Sequence, residues 1–221
     1  MPNGTVVGVQ SAYASVRQIQ ARGAGSATVL GFPYDETNGS CQFTWRMHTL
    51  MDAQTMLRQQ MQALHGTLEA AIGDCSADVV ARKLPGSTIN SIGAIYAHTI
   101  FGEDGLLNGL VRGGTPVYFA GGWAPKVGLD MPQGGLEPDW APSLDLGVFR
   151  QYAAAVHESM DEYLASASEA DLDRIVDPGF APPMPVRSFI ANLLAWHVAT
   201  HQGEISALKG VQGVNGLVLT H

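Results

Sequence analysis

Leu50, Gln54, Leu57, Met61, Leu64, Leu68 and Ala71 step along the chain alternately by four and by three. That spacing sets them on one stripe of an α-helix, the pattern of a helix that packs in a bundle. Met, Leu, Gln and Ala, all good helix formers, fill the gaps, and Gly73 offers a stop. A first helix over about 46–72 is predicted.

Three more helices follow from similar signals. Ser76-Ala-Asp starts an accessory turn that Pro85-Gly86 ends. Ser87 or Asn90 can cap a second helix over about 88–111, with Ile92, Ile95, Phe101 and Leu106 among its apolar positions and Arg112-Gly113-Gly114 closing it. A third runs from about Leu146 to Ala167 with Phe149, Tyr152, Val156, Met160 and Tyr163 on one stripe, and Ser168-Glu-Ala-Asp-Leu reads as a fresh cap and a short turn. Beyond Pro182, Pro183 and Pro185 a fourth shows Ile190, Leu193, Leu194, His197, His201, Glu204, Ile205 and Leu208 on one broad face, with Lys209-Gly210 at its end.

The link between the second and third helices, 113–147, is rich in Gly and Pro. Antiparallel neighbours need only a few residues to connect, so a link this long predicts that these two helices run parallel. The expected fold is all-α: a four-helix bundle over 45–221, up-down-down-up, with a long crossover. Residues 1–44 carry many Gly, Ser and Thr without sustained periodicity and are expected to form an irregular arm. Met47 and Met51 stand where the helical pattern begins and are candidates for an alternative start of translation, which peptides from residues 1–40 of the native protein would rule out.

With 221 residues, 46% of them hydrophobic, the chain can bury one sizeable core without staples. Its formal net charge of −8, with few and scattered Lys and Arg, argues against nucleic acid as a partner. No apolar run reaches the roughly 20 residues that a membrane span needs. The N-terminus lacks a signal pattern and Cys41 and Cys75 form no close pair, so the expected compartment is the cytoplasm. A homodimer suits so small a bundle, but nothing in the sequence demands one.

The chemistry concentrates in Ala195-Trp-His-Val-Ala-Thr-His-Gln-Gly-Glu-Ile205. His197 and His201, four apart, share one helix face and can reach a single ion at about 2.0–2.1 Å. His98 follows Ile95 at helical spacing and should point inward as well. Three core histidines without compensating carboxylates leave ring nitrogens unsatisfied at roughly 1–3 kcal/mol apiece, and a shared metal ion removes that cost. Spacing alone leaves metal ligands and ordinary core histidines both open. His48, His65, His157 and His221 read as ordinary, Trp196 as helix-packing surface, and Trp123 and Trp140 as loop anchors or the lining of a mouth. Neither a Gly-x-Ser-x-Gly elbow nor a phosphate loop after a strand pattern is present.

Two motifs carry a resemblance. Leu84-Pro-Gly-Ser-Thr-Ile-Asn-Ser-Ile-Gly-Ala-Ile-Tyr-Ala-His98, followed by Glu103-Asp104, resembles the helix-two signature of the DinB-like superfamily, and His197-x-x-x-His201-x-Gly203-Glu204-Ile205 resembles its helix-four signature. The likeness spans roughly 45–217 and includes the long second connection. It implies a divalent metal site on His98, His197 and His201, for Ni or Zn, with Mn or Fe as alternatives. It also implies a metal-dependent transferase or hydrolase acting on an unknown small molecule, with a low-molecular-weight thiol as a candidate cosubstrate. Three protein ligands leave a coordination position open, as in catalytic sites. An ion there would either generate hydroxide from water or hold a thiolate. Where the family often has Gln, this chain has Glu204, whose carboxylate could be a partner of a ligand, a fourth ligand, a catalytic base or a solvated bystander. The rival reading is a non-catalytic metal- or ligand-binding bundle.

Overall fold

A computed structural model describes residues 51–216, residue 133 excepted. The expected irregular arm at 1–44, Leu50, Cys41, His48 and His221 lie outside the described residues.

The first helix, α1, spans Ala53–Gly73 and starts later than the apolar stripe suggests. Asp52 adopts an extended backbone, and its carboxylate accepts the Thr55 amide at 2.7 Å, which ends the helix there. Ser76 caps the short α2 (Ala77–Ala81) in the same way.

The central helix, α3, spans Ile92–Asp104 and runs into a π-helical segment, Gly105–Val111. Neither expected cap is used: Ser91 accepts the Ala94 amide at 3.2 Å. The Asn90 side chain is committed to the Glu137 carbonyl, and the Ser87 hydroxyl accepts the Ile89 amide. Every residue from Ile92 to Ala97 is buried, so α3 presents apolar surface on all sides.

The long connection contains two short helices, α4 (Val117–Ala120) and α5 (Ala124–Val127). Asp145 caps α6 (Leu146–Ser166), and Ser168 with Asp171 forms a reciprocal capping box on α7 (Glu169–Asp173). A feature with no sequence signal follows: Ile175–Val176 (β1) and Met184–Pro185 (β2) pair antiparallel, Ile175 opposite Pro185 and Val176 opposite Met184. The chain then enters α8 (Val186–Phe189), a second π-helical segment (Ile190–Leu194) and α9 (Ala195–Val211). Gly210 stays inside α9, and the left-handed residue after its end is Gly213, at φ 78°.

The described part is mostly helical with one two-stranded sheet. The helix α1 packs on α6 and α9, and α3 packs on α6 and α9, around a single apolar core that includes Leu57, Met61, Leu68, Ile95, Ile100, Phe149, Tyr152, Val156, Leu194 and Ile205. Among the described residues no helix is long and apolar enough to cross a membrane.

Two buried charges fasten elements to this core. Asp104 accepts the Val117 and Tyr118 amides and the Tyr152 hydroxyl, each at 2.8 Å, and the Asn108 side-chain amide at 2.9 Å. That carboxylate moors the start of the long connection to α3 and α6. Lys209 turns inward and donates to the Ala71 carbonyl and the Asp74 carboxylate at the end of α1. Its side chain therefore serves the C-terminus of a neighbouring helix more than that of its own.

Candidate metal centre

Helical geometry brings His197 and His201 one turn apart on the side of α9 that faces α3, and α3 presents His98 to them. The ring centroids lie 4.9 Å (98 to 197), 5.0 Å (98 to 201) and 4.5 Å (197 to 201) apart. One ligand nitrogen from each ring lies within 4.8 Å of the others. Nε2 of His98 and Nε2 of His197 are 3.0 Å apart. All three side chains are half-buried.

Gly102 makes the close approach possible. A Cβ built on it would lie 3.1 Å from Cε1 of His197, so the missing methyl group is the space that His197 occupies. The π-helical segments follow α3 and precede α9, the two helices that carry the histidines.

Burial first, and the charge of His201 second, push His98 down to about 4, with Glu204 opposing. Burial first, then His201 and His98, push His197 down to about 3. At neutral pH both rings are therefore uncharged and have lone pairs available to a cation. Glu204 accepts from Nδ1 of His201 at 2.7 Å. In the neutral ring that bond leaves Nε2 of His201 as the free lone pair, which is the role of a carboxylate behind a metal-bound histidine.

The long connection walls a cavity on the His98 side of the site. This cavity of about 420 Å³ is lined by His98 together with Asp130, Met131, Leu136, Glu137 and Trp140. Trp140 thus belongs to the lining. Trp123 packs near Tyr152, at 6.1 Å between centroids, with the Lys126 ammonium over its ring. Trp196, expected to pack, is 69% exposed.

A sequence profile of the DinB superfamily matches residues 57–205. The chain belongs to the DinB superfamily. Among solved structures, it is similar to a conserved protein from Enterococcus faecalis, with a TM-score of 0.58 and 17% identity over 74% of this chain and 99% of that one. It is also similar to a DinB-like protein from Bacillus cereus, with a TM-score of 0.51 and 16% identity over 74% of this chain and 95% of that one. At such identities the likeness speaks for the fold. No curated protein matches the chain significantly. Within the superfamily member described here, the spacing of the three histidines was readable from sequence, but Gly102 was not, because its role depends on which residue faces it across the helix contact. The pairing of His65, Glu103 and His157 was missed too. The available signal was Glu103-Asp104, two acidic residues at the end of a mostly apolar helix, since buried carboxylates require partners.

Proposed function

We propose that this chain is a metal-dependent enzyme that holds one divalent ion on His98, His197 and His201 and acts on a small molecule by hydrolysis or thiol-dependent transfer. One observation carries the reading: three histidine nitrogens converge, and one of the three rings, His98, lines a cavity that the long connection walls. Two of the rings are neutral when buried, and the third is oriented by Glu204, so the donor set fits Ni²⁺ or Zn²⁺, with Mn²⁺ or Fe²⁺ as alternatives. Among the described residues the group has three members, which favours an open, catalytic site over a closed structural one. An ion held there supplies Lewis acidity sufficient to activate water or a thiol. Glu204 orients His201 and holds its Nδ1 proton, while Met131, Leu136 and Trp140 offer apolar surface to a substrate beside His98.

We further read the four long helices as one up-down-down-up bundle. Residue pairings support it: Arg58 with Asp161 and Glu69 with Arg150 oppose α1 and α6, whereas Asp104 with Tyr152 and Asn108 with Ser159 align α3 and α6. Metal content of untagged protein by inductively coupled plasma mass spectrometry, beside His98→Ala and His197→Ala, tests the centre. About one ion per chain, lost in both variants, is expected. A folded protein that takes up no Ni²⁺ or Zn²⁺ at this centre would end the enzyme reading. Turnover on thiol and ester panels must then exceed that of the chelated protein.

A further inference from the structure

A second cluster lies on another side of α3. Five residues beyond His98, Glu103 is turned by about 140° around the helix axis. It meets His65 of α1 and His157 of α6, while His98 meets α9. Its carboxylate is 0% exposed. Nε2 of His65 lies 2.9 Å from Oε1 and 3.0 Å from Oε2, with hydrogen-bond geometry to Oε2 alone, so Oε1 has no hydrogen-bond partner. His157 stacks on His65 with centroids 3.8 Å apart and rings 11° from parallel. Its Nε2 is also buried without a hydrogen-bond partner. One ligand atom from each of the three residues lies within 4.8 Å of the other two.

A simple ion pair does not account for this arrangement. A protonated His65 satisfies one oxygen of Glu103 and leaves Oε1 and His157 Nε2 bare. Protonating His157 as well would stack two cations over a single carboxylate, and burial, reinforced by His65, already pushes His157 down to about 4. Two imidazole nitrogens and one carboxylate are instead the donor set of a divalent first-row transition ion. Calcium or magnesium would demand more oxygen ligands than the cluster offers.

We propose that His65, Glu103 and His157 form a second binding site for a divalent transition-metal ion, separate from the three-histidine centre. An ion there contacts both bare atoms, draws the three donors together by splaying the stacked rings, and ties α1, α3 and α6 to one another. The three-histidine centre joins only α3 and α9. The second site is thus a staple, and the inference stands whether or not the chain is an enzyme.

Zn²⁺ titration of the metal-stripped full chain, followed by native mass spectrometry, tests it. Two ions per wild-type chain are expected. One should remain in His98→Ala/His201→Ala, and none when Glu103→Gln is added to that variant. Glu103→Gln alone keeps the side chain's shape and should lower the wild-type count from two to one; it decides the matter if the double variant fails to fold. A count unchanged by Glu103→Gln, or a folded His98→Ala/His201→Ala variant that binds no Zn²⁺, overturns the proposal. Loss of the three-histidine centre alone would appear differently, as one ion that survives His98→Ala and disappears with Glu103→Gln.

Discussion

Nε2 of His98 on α3 and Nε2 of His197 on α9 face one another across 3.0 Å. Both rings are neutral at physiological pH, so without a cation one must donate its proton to the other. With a cation, both lone pairs serve it. The contact therefore joins two long helices through the same atoms that would hold the ion.

Glu204→Gln tests the outer partner. The carboxylate holds the Nδ1 proton of His201, and a neutral amide of the same shape holds it more weakly. Metal affinity should fall by about 10–100-fold with the fold unchanged. Competition against a chelator measures it, and equal affinities would make Glu204 a bystander.

Gly102→Ala separates site geometry from stability. Alanine gains up to about 1 kcal/mol over glycine in a helix interior. The new methyl group would nevertheless press on His197, whose Cε1 lies 3.1 Å from its position. The expected result is a thermal midpoint close to wild type and metal binding weaker by about tenfold, an amount equivalent to about 1.4 kcal/mol. A variant that gains stability and keeps full affinity would show that the ring has room to move.

Asp104→Ala should be among the most destabilising single changes. It strands the Val117 and Tyr118 amides, the Tyr152 hydroxyl and the Asn108 side chain at once, at about 3–5 kcal/mol. Urea unfolding reads the loss, and a change below about 1 kcal/mol would mean that the start of the long connection does not depend on this carboxylate.

Acid should weaken the metal-free protein before its carboxylates titrate. Half-buried His98, His157 and His197 have folded values of about 4, 4 and 3, against an ordinary 6.5. Below 6.5 the unfolded chain takes up protons that the folded chain refuses, so stability falls as pH falls and is fully present only above that value. The decline should be at most about 1.4 kcal/mol per pH unit for each histidine between pH 6.5 and 5. Chemical unfolding at pH 7.5, 6 and 5 checks it; a flat profile would contradict the burial of these rings.

What the sequence by itself determined is local. Four-and-three spacing marked α1, an apolar stripe marked α6, a capping residue marked α7, and the His-x-x-x-His spacing put two rings on one face, because a helix maps sequence separation directly onto angle. Proline-rich and glycine-rich composition marked the connection whose residues line the cavity. Tertiary structure decided what faces what. Ser91 rather than Asn90 caps α3 because the Asn90 side chain bonds to the Glu137 carbonyl. Gly213 rather than Gly210 follows the end of α9. His65 and His157, ordinary when read singly, meet on Glu103 because α1, α3 and α6 pack at one particular rotation. Such rotations come from the mutual fit of side chains distant in sequence, and no spacing within one helix encodes them.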